Sequence, residues 1–395
     1  MLTAALLGAI LLKGQATPPA SGAQTQTLPP KLSKDEQQHQ KDIAYDIDLG
    51  KKFVIEVEKT EKISENKEYQ DRVNRIGQEI AAIAQTTQVD EIWGDKRLNK
   101  YNYTFKVLKG PDVNAFSLPG GFIYVYEGLV KYAESDDEIA AVLAHEITHA
   151  EARHIATLAH DQQKAQLPAL IAIAAAIISR NPDFIGVAIL GGTNAVQAFT
   201  SAWSVRAEQA ADHGGVQYLV HSKYNATAML TFMERLALDE SNNQQISGVD
   251  WGIYKTHPPG RERAAAVLKD LQTYGVPVQR SLVSTRFRTE VQPGKDSGVE
   301  IWFNKRKLYT FGGSDALQRA DAAADRLNKF FDQEPNLFDV AFDGKDILGK
   351  RSPLIDVLPA DALAEKTSTD EIGAKAVGAI KGSLYNYAFN VWGTK

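Results

Sequence analysis

Ser135-Asp136-Asp137-Glu138-Ile139-Ala140-Ala141-Val142-Leu143-Ala144-His145-Glu146-Ile147-Thr148-His149 opens with a helix-capping signal and ends in the motif HExxH. Ser135 followed three residues later by Glu138 matches a capping box, and the acidic first turn suits the positive end of the helix dipole. A helix brings residues i and i+4 onto one face, so His145 and His149 would present their imidazoles to one ion, with Glu146 beside them. Zinc accepts nitrogen ligands of this kind, and a catalytic site needs one further protein ligand while leaving a position for water. On the motif alone, two histidines on a solvated helix face are the competing reading.

Glu208-Gln209-Ala210-Ala211-Asp212 bears on that choice. It puts a carboxylate on a predicted helix far downstream, with an aspartate one turn later. Glu208 can supply the third ligand, and Asp212 can accept the free ring N–H of a liganding histidine and so fix its tautomer. In isolation both would read as ordinary surface acids. The chain has no cysteine. That removes disulfides, thiolate ligands and cysteine nucleophiles together, so any metal must sit on His, Glu or Asp.

Upstream, Tyr101 to Val107 alternates large apolar with polar residues, the period of a half-buried strand. Asn114-Ala115-Phe116-Ser117-Leu118-Pro119-Gly120-Gly121 then leads into a second strand, Phe122 to Tyr126, which predicts a hairpin with a short first arm. Pro119 cannot donate to a ladder, so that arm is expected at a sheet edge. Edge strands can pair with extended peptides, which makes Asn114, Ala115, Phe116, Ser117 and Leu118 candidate substrate-binding residues. Ser33-Lys34-Asp35-Glu36 is another capping box, and Tyr69 to Ala84 places Val73, Ile76, Ile80 and Ile83 at helical spacing.

With 395 residues the chain is too long for one ordinary core. Its 44% hydrophobic and 24% charged residues favour neither a disordered nor a fully membrane-embedded protein, and a net charge of -5 points to no nucleic-acid partner. Lys305-Arg306-Lys307 is read as a solvated face. Leu2 to Leu12 is a short apolar run followed by Gly14-Gln15-Ala16, a pattern a signal peptidase can cut. It predicts export, the alternative being a mildly apolar disordered tail. Thr17 to Pro30 reads as a linker. Two apolar stretches between residues 168 and 200 read as a helical hairpin that serves as buried core or lid, as a homodimer contact or as a peripheral membrane contact. Val276 to Gly298 is turn-rich. Beyond it lie a hairpin (Val299–Phe303, Leu308–Phe311), a helix from about Asp315 to Phe331, a strand (Leu337–Phe342) and helices near Ala362 and Thr369 to Tyr385. The expected division is a leader and linker at 1–32, a main domain at 33–275, a linker at 276–298 and a small α/β module at 299–395.

Several motifs in order now carry a resemblance: His145 to His149, Arg153-His154, Glu208-x-x-Ala211-Asp212, Asn114 to Gly121, and Thr256-His257-Pro258-Pro259 with Arg263. Together they look like the zinc peptidase family that includes the HtpX, BepA, Oma-type and CAAX-prenyl proteases, metallopeptidase family 48, over roughly residues 33 to 270. The resemblance implies an α+β fold, with a mainly helical gluzincin-type catalytic domain carrying a small sheet. It implies one Zn2+ per chain on His145, His149 and Glu208, and polypeptide substrates. Glu146 would be the general base, and Asp212 and Arg263 would lie behind the ligands. His257 reads locally as a plain helix-start histidine. The resemblance instead puts it over the metal, either donating to the oxyanion of the reaction, the role we favour, or plugging the open position. His39, His160, His213 and His221 are expected to be incidental. His154, a candidate for capping or for backing a ligand, is left outside the site. The periplasmic BepA-like branch fits best, because the long spans of HtpX and the prenyl proteases are missing. Phe303 to Lys395 shows no tetratricopeptide repeat, so BepA's partners are not carried over. The implied activity is an exported zinc endopeptidase that cleaves unfolded or misassembled envelope proteins. The competing readings are a chaperone-like adaptor with a silent zinc site and a membrane-associated processing protease.

Overall fold

A computed structural model describes residues 32–161, 193–242, 261–294 and 298–387. The leader at 1–31, the apolar stretches between 168 and 192, and the Thr256-His257-Pro258-Pro259 motif lie outside them. Residues up to Gln40 and those from Lys41 onward form two compact units. In the first, helix α1 (Lys34–Thr60) opens on the expected reciprocal cap. The Glu36 N–H donates to Ser33 Oγ at 3.2 Å, and the Ser33 N–H donates to the Glu36 carboxylate at 2.7 Å.

In the second unit, alternation builds a small sheet from β1 (Thr104–Leu108), β2 (Ala115–Leu118) and β3 (Phe122–Tyr126). The order is β1-β3-β2, with β1 parallel and β2 antiparallel to β3, so β2 is an edge strand as Pro119 implied. β1 starts at Thr104, not Tyr101, because Thr104 is the residue opposite the first residue of β3. Tyr101 and Tyr103 are nevertheless buried. Leu49, Phe53 and Val57 of α1 pack with Phe116, Leu118, Tyr124 and Tyr126. Helix α2 (Lys67–Ala84), capped by Asn66, packs Val73, Ile76 and Ile80 into the core that holds Phe105, Val107 and Ile123.

After α3 (Glu127–Tyr132) comes α4 (Asp136–Glu151), whose residues from Glu138 to Glu151 are all buried. A helix buried on every side presents none of its residues from Glu138 onward to solvent, so the solvated-face alternative for its histidines fails. Ser135 caps α4 by accepting the Glu138 N–H at 3.3 Å, but the second half of the box is not made. The Glu138 carboxylate accepts the Glu134 N–H at 2.8 Å and pairs with the buried Arg235. A buried guanidinium without a counter-charge would cost several kcal/mol, about 3–5, far more than one capping bond, so Arg235 claims the carboxylate.

Helices α5 (His154–Asp161), α6 (Thr193–Val220), α7 (Thr227–Asn242) and α8 (Arg261–Thr273) follow. Gly214 and Gly215 let α6 touch α4 closely. A Cβ on Gly214 would stand 2.5 Å from the Thr148 side chain, and one on Gly215 would stand 3.2 Å from the His145 main-chain nitrogen.

The remaining chain forms α9 (Arg280–Val283), β4 (Thr289–Pro293), β5 (Val299–Phe303), β6 (Arg306–Phe311), α10 (Ala316–Phe331), β7 (Val340–Phe342), β8 (Asp346–Gly349), β9 (Ser352–Asp356), α11 (Pro359–Ala364) and α12 (Thr369–Tyr387). It holds two antiparallel sheets, ordered β4-β5-β6 and β7-β8-β9. The stretch read as turn-rich thus contributes strand β4, and β8 and β9 were not anticipated. Each is too short and too weakly apolar to announce itself without its ladder partner. Phe303, Phe311, Leu327 and Phe331 belong to a core that also takes Leu238 from α7. Arg280, 1% exposed, forks onto Glu234 of α7 at 2.7 and 2.7 Å. No described helix is long and apolar enough to cross a membrane. The architecture is α+β, mainly helical, with three small sheets among the described residues.

Candidate metal centre

One turn of α4 separates His145 from His149, and their Nε2 atoms converge to 3.0 Å. Glu208 arrives on α6 with Oε2 3.3 Å from His145 Nε2 and Oε1 3.3 Å from His149 Nε2. Three ligand atoms bound at 2.0–2.1 Å to one tetrahedral ion stand about 3.3 Å apart. The triad therefore already has the spacing a metal would impose. Its ligand atoms lie within 4.8 Å of one another, making it the only such group among the described residues. Two imidazoles and a carboxylate suit zinc, and three protein ligands leave a fourth position open. Glu146 is 2% exposed, and its charge is felt at both His149 and Arg263.

Behind the triad lies a buried charge network. Asp212 Oδ1 is 2.9 Å from His145 Nδ1. Arg263 of α8 donates to both Asp212 oxygens at 2.7 and 2.7 Å and reaches Glu208 Oε2 at 3.0 Å. Burial alone would push the His145 ring down, but the hydrogen bonds to Asp212 and Glu208 outweigh it and hold its pKa at about 10. Burial opposes ionisation of Asp212, yet Arg263 keeps its pKa below the ordinary value. His149 is lowered, mainly by burial. A metal taken up here displaces a proton from His145, since ligands must be unprotonated.

His149 has a neighbour that sequence reasoning left out. His154 is wholly buried, with Nδ1 2.8 Å from His149 Nδ1 and Nε2 2.9 Å from the main-chain oxygen of Trp93. A histidine five residues after a ligand is off the helical face, so only the adjacent Arg153-His154 in the motif hinted at it. The other histidines stay outside the described triad: His213 pairs with Asp270 at 2.9 Å, and His221 bonds the Gln217 oxygen at 2.8 Å. The expected place of His257 is outside the described residues.

The edge strand approaches the same place. Asn114, Ala115, Phe116 and Leu118 are buried, and Ser117 is half-buried. The end of β2 and the start of α5 line a small pocket that also touches His149 and Arg153.

Comparison with known proteins gives a family model, Peptidase family M48, that matches residues 70–271. The beta-barrel assembly-enhancing protease of Escherichia coli (strain K12) is 32% identical over 168 residues, 42% of this chain and 34% of that protein. Its Yersinia pestis namesake is 25% identical over 336 residues, 83% of this chain and 62% of that one. The mitochondrial metalloendopeptidase OMA1 of Schizosaccharomyces pombe is 27% identical over 166 residues, 42% of this chain and 46% of that one. In the first of these the chain spans about a third of the relative's length. The family match runs from α2 into α8 and takes in the helices that carry His145, His149 and Glu208, so the chain belongs to peptidase family M48 and is a metallopeptidase.

Proposed function

We propose that this metallopeptidase is a zinc-dependent endopeptidase that hydrolyses unfolded or misassembled proteins of the cell envelope. The observation that carries the chemistry is the convergence of His145, His149 and Glu208, with Glu146 on the same helical turn. Bound there, zinc supplies a Lewis acid for the scissile carbonyl and lowers the pKa of the attacking water. The Glu146 carboxylate takes the proton that this water loses. As the C–N bond breaks, Glu146 returns that proton to the leaving amine, so one residue serves as base and then as acid. Asp212 and Arg263 hold the ligands in register. Asn114 to Leu118 bind an extended substrate along the edge strand β2, where main-chain bonding favours unfolded chains over particular sequences. His257 we assign to oxyanion donation.

The envelope role draws on relatives named for beta-barrel assembly and on the apolar start of the chain, which together favour a periplasmic setting. Residues 33–275 would form the catalytic domain and 299–395 a module whose ligand is a separate question. The test is metal analysis of the purified chain together with casein degradation, comparing the native protein with Glu146→Gln. The amide keeps both imidazoles and the metal but cannot act as base, so a loss of about two to four powers of ten in rate is expected with zinc retained. Undiminished cleavage by Glu146→Gln would refute the assignment.

A further inference from the structure

Where α4 ends, the chain reverses sharply. Arg153 has φ +54°, a left-handed conformation that costs a non-glycine residue about 1–2 kcal/mol. Its guanidinium is tied to Asp46 at 2.5 and 3.1 Å and to Asp95 at 3.0 Å, which holds the strained turn in place. The reversal brings His154 back beneath His149, with the two rings 4.9 Å apart and nearly perpendicular at 84°. The loop before β1 closes the other side. Trp93 packs its ring 5.1 Å from that of His154, and the Asp95 N–H donates to the Ala152 oxygen at 2.7 Å. Gly94, at φ +122°, has no space for a side chain, since a Cβ there would stand 2.9 Å from His154 Cδ2.

The proton positions follow from what each partner can do. A carbonyl oxygen only accepts, so the 2.9 Å contact with Trp93 puts a hydrogen on His154 Nε2. His149 turns Nε2 toward His145 and Glu208, and a ligand nitrogen must be bare, so the hydrogen of its neutral ring sits on Nδ1. The 2.8 Å contact between the two Nδ1 atoms needs one hydrogen, which then belongs to His149 and leaves His154 Nδ1 to accept it.

We propose that His154 is a positioning residue of the metal centre, a neutral acceptor that locks His149 in the tautomer whose Nε2 binds the ion and is itself aligned by the Trp93 carbonyl. His154 holds this role only within the metallopeptidase reading given above. The two liganding histidines are thus backed differently, His145 by the anionic Asp212 and His149 by an imidazole that adds no charge.

Two measurements test it. In the zinc-loaded native protein with ring-¹⁵N histidine, the His149 resonances should show a protonated Nδ1 and a metal-bound Nε2; metal on Nδ1 overturns the proposal without any mutation. Zinc affinity is then measured by chelator competition for His154→Leu, which keeps bulk and loses the acceptor, and for His154→Asn, whose amide oxygen can replace Nδ1. His154→Leu should bind zinc about 10- to 100-fold more weakly, and His154→Asn should stay within about threefold of native. Native-like affinity in His154→Leu, or an equal loss in both variants, overturns the role. A native chain that binds no zinc overturns the metal reading beneath it, so the two failures are told apart.

Discussion

Asp212→Ala removes one carboxylate that serves two partners, and the structure separates the two costs. The first falls on the metal. Oδ1 takes the His145 Nδ1–H at 2.9 Å, and loss of such an outer partner weakens metal binding by about 10- to 100-fold, or about 1.4–2.7 kcal/mol. The second falls on the fold. Arg263, with a side chain 12% exposed, loses both of its 2.7 Å bonds to Asp212 and keeps Glu208 at 3.0 Å. Breaking a buried pair costs about 3–5 kcal/mol, and the remaining Glu208 contact favours the lower end. Because a ligand stabilises the native state by RT ln(1 + [L]/Kd), the weaker affinity is visible only with zinc present. Urea unfolding should therefore show Asp212→Ala less stable by about 3 kcal/mol in chelator and by about 4–6 kcal/mol in saturating zinc. Adding Arg263→Met removes the stranded charge and should recover part of the first figure but none of the extra loss in zinc. Equal losses with and without zinc would refute the link from Asp212 to His145, and a loss below about 1 kcal/mol in chelator would refute the buried pair.

Three further outcomes are expected. Glu208→Ala should not retain stoichiometric zinc after dialysis, and a variant that does would show that another residue is the third ligand. Glu234→Ala takes its two-bond partner from the buried Arg280, which keeps the half-buried Glu334 at 2.6 Å, so it should cost about 3 kcal/mol in urea unfolding, the lower end for a broken buried pair; a loss inside about 1 kcal/mol would remove this pair as a tie between α7 and the following chain. Burial pushes the Glu91 carboxyl from the ordinary 4.5 up to about 7, with the Trp93 N–H bond opposing the shift. A raised native pKa gives stability that is complete below the unfolded value and lost as pH rises through the folded one. Between pH 4.5 and 7 the metal-free native protein should therefore lose about 3 kcal/mol relative to Glu91→Gln. Parallel pH profiles for the two proteins would show that Glu91 is not buried as a neutral acid.

What could be read in the chain and what could not divide along one physical line. His145 and His149 share a face because four residues make about one helical turn, and this holds wherever the helix is packed. The Pro119-Gly120-Gly121 turn, the edge position of β2 and the helices at α1, α2 and α10 are local in the same sense, written in periodicity, caps and turn residues. Glu208 and Asp212 could be singled out as a motif, but their meeting with α4 depends on Gly214 and Gly215 letting two helices approach. The partners of buried polar groups were not legible. Glu138 looked committed to its own helix cap, yet the Arg235 guanidinium brought by α7 binds it instead. His154 looked one position out of phase, and the tertiary contacts of Arg153 with Asp46 and Asp95, which hold it in a left-handed turn, return it to His149. Backbone periodicity is decided among neighbours in the chain, whereas a buried charge or imidazole is satisfied by whichever group the fold delivers to it. The sequence by itself therefore determined the ligand types and their helical spacing, and the tertiary structure alone decided which groups stand behind them, because desolvation makes an unpartnered polar group too costly to leave.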